Sequence, residues 1–129
     1  MTDRITHVLD TSAILAYGSS LELGAIIADR DIHEESVAVP LLCLAECYRT
    51  TQPGEALDLL DVLASQPAVT ITTVNPEDAP VLGGWASVLG SFDLAHAAME
   101  AGTYHVPLIT SRREIVTRIL SPEWPIIDL

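Results

Sequence analysis

The stretch "HVLDTSAILAY", His7 to Tyr17, decides how the chain is read. Three residues that suit a strand, His7 to Leu9, run straight into Asp10. Two hydroxyls follow, Thr11 and Ser12, and an apolar run resumes at Ala13. A strand that gives way at once to helix-starting residues is the opening of a βαβ unit. Asp10 then has two readings. An Asp ahead of a helix accepts backbone N–H bonds and complements the helix dipole. It also stands at the carboxyl end of a strand, outside which parallel sheets bind their ligands.

The same alternation runs down the rest of the chain. Strands are expected at 5–10, 36–39, 68–74, 106–111 and 124–129. Between them lie helical stretches: "SAILAYGSS" and "ELGAIIADRD", broken near Gly18-Ser19-Ser20, then "PLLCLAECYRTT" with Pro40 in its first turn. "GEALDLLDVLASQ" carries Ala56, Leu59, Leu60 and Leu63 at helical spacing. "EDAPVLGGWASVLG" reads as a helix weakened by Gly83-Gly84, "SFDLAHAAMEAG" as a helix ending at Gly102, and "RREIVTRIL" as a last one. Strands and helices in turn imply an α/β domain with a mostly parallel sheet covered on both faces. There is no internal repeat and no linker, so one domain is expected over residues 1–129.

Composition narrows the function. Six Lys+Arg stand against 18 Asp+Glu, for a formal net charge of −12, and every basic residue is Arg. Such a chain repels a polyanion as a whole. Any nucleic acid must meet a local basic patch, a divalent metal or a basic partner. The lack of Lys excludes Walker-type phosphate loops, Schiff-base chemistry and a receiver-type phosphoacceptor site with its lysine. No apolar run is long enough to span a bilayer and no secretory signal is visible. Cys43 and Cys47, four apart in one apolar segment, read as small buried hydrophobes rather than a disulfide framework or a zinc half-site. A cytoplasmic protein without a membrane segment is expected.

Two further acids draw notice. Glu46 sits in "LLCLAECYR", among apolar neighbours. A helix apolar on most sides is buried, and a lone carboxylate there is costly unless paired or bound to a metal. The alternative is a helix edge, with Glu46 reaching water or pairing with Arg49. Asp93, in "GSFDLAHAAMEAG", heads a helix faced with small residues, and Ser91 or Asp93 could cap it. Asp10, Glu46 and Asp93 could converge at the carboxyl edge of the sheet. Clustered carboxylates need a cation, and oxygen-only ligands suit Mg²⁺ or Mn²⁺. Such a site fits metal-assisted hydrolysis of a phosphodiester.

These motifs, in this order, resemble the PIN-domain family and in particular the VapC-like ribonucleases of toxin–antitoxin pairs. "HVLDTSAILA" looks like the opening strand with its acid and following hydroxyl. "LLCLAECYR" looks like the helix with the second acid, "FDLAHAAMEAG" like the helix that starts with the third, and "VPLITSRREI" like the fourth strand and its exit. The resemblance covers nearly the whole chain. It implies a three-layer α/β/α sandwich and Mg²⁺- or Mn²⁺-dependent cleavage of RNA. Asp10, Glu46 and Asp93 would be the metal ligands, with Ser12 or Thr11 as a supporting donor. An antitoxin partner and a homodimer are further implications.

One position departs from the pattern. The family's fourth strand usually leads into Thr-x-Asp, whereas here the triplet is Thr110-Ser111-Arg112. Arg112, with Arg113, could hold a substrate phosphate. It could instead pair with the acids and displace the metal, leaving a catalytically degenerate PIN-like domain that acts by binding protein. Glu114 should lie inside the next helix and is not taken as a ligand. His96 reads as an exposed helix histidine, with a supporting role at the site as the alternative. Trp85, Trp124 and Tyr48 read as core or interface residues. Arg112, Arg113 and Arg118 form the one local basic patch, unless acids pair with them.

Overall fold

The computed structural model describes residues 4–129. They form five strands and seven helices: β1 (Arg4–Leu9), α1 (Thr11–Leu15), α2 (Leu21–Ile32), β2 (Glu35–Pro40), α3 (Leu41–Thr50), α4 (Glu55–Ala64), β3 (Val69–Thr72), α5 (Ala79–Leu89), α6 (Phe92–Tyr104), β4 (Leu108–Thr110), α7 (Arg113–Val116) and β5 (Ile126–Asp128). The strands form one sheet in the order β3-β2-β1-β4-β5, and every pairing is parallel. Consecutive residues Val8 and Leu9 in β1 are both fully buried, as are Val37, Ala38 and Val39 in β2. Neighbours along a strand point to opposite faces, so both faces are covered by helices. The fold is a three-layer α/β/α sandwich.

Small residues let one helix lie close. Ala95, Ala97, Ala98 and Ala101 of α6 have no exposed surface, and α6 packs on β1, β2, α3 and α5. This brings the first turn of α6 against the middle of the sheet. The chain builds outward from β1 through β2 to β3, then returns to the other side of β1 for β4 and β5. The direction of winding therefore reverses between β1 and β4. In a doubly wound sheet the strand ends diverge there and leave a crevice.

Several boundaries differ from the sequence reading. Pro40 closes β2 and precedes α3 as its N-cap residue, with φ −62° and ψ 134°, rather than entering the first turn. Gly83-Gly84 does not interrupt α5. Gly102 does not end α6. The helix runs on to Tyr104, and His105 takes the left-handed conformation at φ 54°. The reason is the burial of Val106, whose N–H donates to the carbonyl of Ala101 at 3.2 Å. That six-to-one bond defines where the chain turns back, and a following apolar residue tucks under the helix end. The final helix is only the four residues of α7, followed by turns. Among the described residues no helix is long and apolar enough to cross a membrane.

Candidate active site

Asp10 follows the last residue of β1 and serves as N-cap of α1. Its carboxylate is almost fully buried, at 1% exposure. Oδ1 accepts the Ala13 backbone N–H at 2.9 Å and the Ser12 hydroxyl at 2.6 Å. Oδ2 accepts the Thr110 hydroxyl at 2.5 Å. Thr110 ends β4, so this bond links the carboxyl ends of the paired strands β1 and β4. The capping reading of Asp10 and its place at the strand end are thus both true of one side chain. Burial pushes the Asp10 pKa up, against the hydrogen bonds from Ser12, Thr110 and Ala13 and the positive charge of Arg112.

Asp93 sits in the first turn of α6, and Ser91 holds the N-cap position without a side-chain cap bond. Asp93 Oδ2 accepts the Thr11 hydroxyl at 2.5 Å. Consecutive residues Thr11 and Ser12 therefore hold the two acids, one each. Ser12 Oγ also accepts the Ser111 backbone N–H at 3.0 Å, and Thr110 Oγ1 accepts that of Arg112 at 2.8 Å. Thr11 thus ties α1 to Asp93 on one side, and the adjacent Ser12 ties it to Asp10 and the exit of β4 on the other.

Glu46 is placed differently from the buried carboxylate that its apolar neighbours suggest. The inward face of α3 is taken by Cys43, Leu44 and Cys47, while Leu41, Ala45, Tyr48 and Arg49 face outward. Glu46 lies between these faces and forms an ion pair with Arg49, which lowers its pKa below the ordinary value. The nearby negative charge of Asp93 opposes that shift. Glu46 and Asp93 line one open groove of about 440 Å³ with Leu42, Ala45, Arg49, Ser91 and Phe92. Among the described residues, no group of three His, Cys, Asp or Glu side chains is arranged to hold a metal ion. Asp10 and Asp93 nonetheless offer hard carboxylate oxygens, and Mg²⁺ is commonly held by one or two carboxylates with several waters.

Arg112 has no ion pair among the described residues, whereas Arg113 is clamped by Asp128 through Nε and Nη2. Arg4 and Arg30 pair with Glu35, and Arg49 with Glu46. Arg112 is exposed and lines a second open groove, about 390 Å³, with Ser111, Arg113, Glu114 and Asp128. Its guanidinium is therefore not locked onto the acids. One groove reaches Asp93, which Thr11 bonds, and the other reaches Ser111, which Ser12 bonds.

Both cysteines are fully buried behind the acids. Cys43 Sγ donates to the backbone carbonyl of Asp93 at 3.0 Å. Burial raises its pKa well above the ordinary range and pushes that of Cys47 up to about 12. Both remain neutral thiols. His96 is not exposed: it has no accessible surface and lies inside α6's packed face. Thr110 is the other polar residue whose contact the sequence did not reveal. Its position at the end of an apolar strand was visible, but its pairing with Asp10 requires the strand order.

No family model matches the sequence, and no curated protein does. Among solved structures, a crystal structure of PAE2754 from Pyrobaculum aerophilum matches over 96% of this chain and 84% of that chain, with a TM-score of 0.59 and 20% identity. That likeness speaks to the α/β/α fold.

Proposed function

We propose that this chain is a PIN-type, Mg²⁺- or Mn²⁺-dependent ribonuclease, the toxin of a toxin–antitoxin pair, cutting RNA phosphodiesters. The observation that carries the reading is the joint tethering of Asp10 and Asp93 by Thr11 and Ser12 beside the carboxyl ends of β1 and β4, where the strand order reverses. Two carboxylates oriented by hydroxyls at a switch point are suited to a hard divalent ion. Once bound, the ion would supply an activated water and screen charge at the phosphate. Asp10 and Asp93 would hold it and Glu46, now paired with Arg49, would be the third acid, while Thr11, Ser12 and Thr110 orient the two Asp carboxylates. Arg112 contacts a substrate phosphate, which offsets the repulsion that a net charge of −12 imposes on RNA. A homodimer and an antitoxin partner belong to the same reading.

The runner-up is a degenerate PIN-like domain that binds protein and cuts nothing. The engagement of Glu46 by Arg49 favours it. Calorimetric titration with Mn²⁺ separates the two, with Asp10→Asn and Asp93→Asn beside wild type. Binding that both substitutions abolish, with loss of RNA cleavage, is the expected result. Variants that cleave RNA as fast as wild type would remove these acids from the mechanism. Absence of Mn²⁺ binding in wild type would turn the search to protein partners.

A further inference from the structure

Helix α3 begins without a side-chain cap of its own. Its N-cap residue is Pro40, which has no hydrogen-bonding side chain. The first backbone N–H groups of a helix have no partner within the helix and need one from elsewhere. Here the partner comes from another helix: the Leu42 N–H donates to His96 Nδ1 of α6 at 3.3 Å. His96 is completely buried, so no water competes for that nitrogen. An acceptor must be unprotonated, so the proton of the neutral ring sits on Nε2. Nε2 lies 3.5 Å from Glu100 Oε1, one turn further along α6, and Glu100 is itself buried at 7% exposure. At that distance Nε2 makes no hydrogen bond, so the one hydrogen bond of the ring is the one that Nδ1 accepts.

The two helices joined in this way carry two of the three candidate acids. Leu42 precedes Glu46 by one turn of α3, and His96 follows Asp93 by one turn of α6. Leu42 itself lines the groove shared by Glu46 and Asp93. We propose that His96 is a positioning residue: acting as an N-cap for α3 from α6, it sets the spacing between Glu46 and Asp93 across the groove. This deepens the metal-site reading above and rests on it where metal affinity is the readout, but the cap itself can be tested alone.

The test has two parts. Long-range proton–nitrogen NMR correlations of the His96 imidazole report which nitrogen bears the proton. The Nε2–H form is expected, and either an Nδ1–H ring or an imidazolium at neutral pH would overturn the cap. The second part compares His96→Leu with His96→Asn, whose side-chain oxygen can reach toward the place of Nδ1. His96→Leu should speed hydrogen exchange at the Leu42 amide and weaken Mn²⁺ binding by about tenfold, the scale seen when a ligand's supporting contact is lost. His96→Asn should restore both most of the way. Equal loss in the two variants, or unchanged exchange in both, would overturn the positioning role. If the wild type binds no Mn²⁺, the metal reading fails, and the tautomer and the exchange pattern still decide whether His96 caps α3.

Discussion

Asp10 and Glu46 were equally prominent in the sequence, yet the fold treats them in opposite ways. Asp10 ends a central strand, is sealed from water and accepts from two hydroxyls and a backbone N–H. Glu46 lies on a helix flank, a third of its side chain exposed at 32%, and leans on one surface arginine. A strand end beside a reversal in sheet order can be surrounded by donors from α1 and β4 at once. A helix flank meets only its own turn and the rim. The first carboxylate is therefore fixed before any ligand arrives, and the second is adjustable.

The largest effect should come from dismantling the fixed side. Asp10→Ala removes the cap of α1 and leaves buried donors without an acceptor, a loss of about 3 kcal/mol by urea unfolding. Asp10→Asn keeps the shape and should separate stability from function. Burial holds the folded Asp10 pKa above its unfolded value, so the folded state binds the proton more tightly. Stability from this group then falls as pH rises from the ordinary carboxylate range through the raised pKa. Relative to wild type, Asp10→Asn should gain stability as pH rises from the ordinary carboxylate range through the raised pKa, while losing Mn²⁺ binding. An unfolding difference that stays flat with pH would contradict the burial argument.

Arg112→Ala sharpens the contrast at intermediate size. It should lower RNA affinity, and the slope of log affinity against log salt should shrink by about one, the mark of a single lost phosphate contact. An unchanged slope would place Arg112 outside the RNA path. The smallest effect belongs to the adjustable side. Arg49→Ala releases Glu46 and should tighten Mn²⁺ binding modestly in calorimetry, with the melting temperature nearly unchanged, since exposed pairs stabilise little. Weaker binding in that variant would mean that Arg49 itself contributes to the site.

The residues that the sequence exposed are those whose role follows from local boundaries. Asp10 and Asp93 stand where one element gives way to another, and the alternation of strands with helices located both. The orientation of α3 was legible only in part. Cys43 and Cys47 read as buried from the sequence, but both readings of Glu46 stood open, and only packing decided for the helix edge and the pair with Arg49. His96 was misread for a related reason. Its acceptor role depends on an N–H 54 residues away, and its neighbours on α6 are alanines that give no sign of what lies across from them. The end of α6 was misplaced because Gly102 offered a local stop, while the burial of Val106 imposed a later one.

The bond between Asp10 and Thr110 joins residues 100 positions apart. Contacts of such long range form late, because the loop between them must close first. On a ribosome, β1 is made first, and the Asp10 carboxylate at its end has no hydroxyl from β4 until about 100 further residues have been made. A truncated chain lacking β4 would keep the acid and lose its setting. The candidate chemistry is thereby tied to the synthesis of β4.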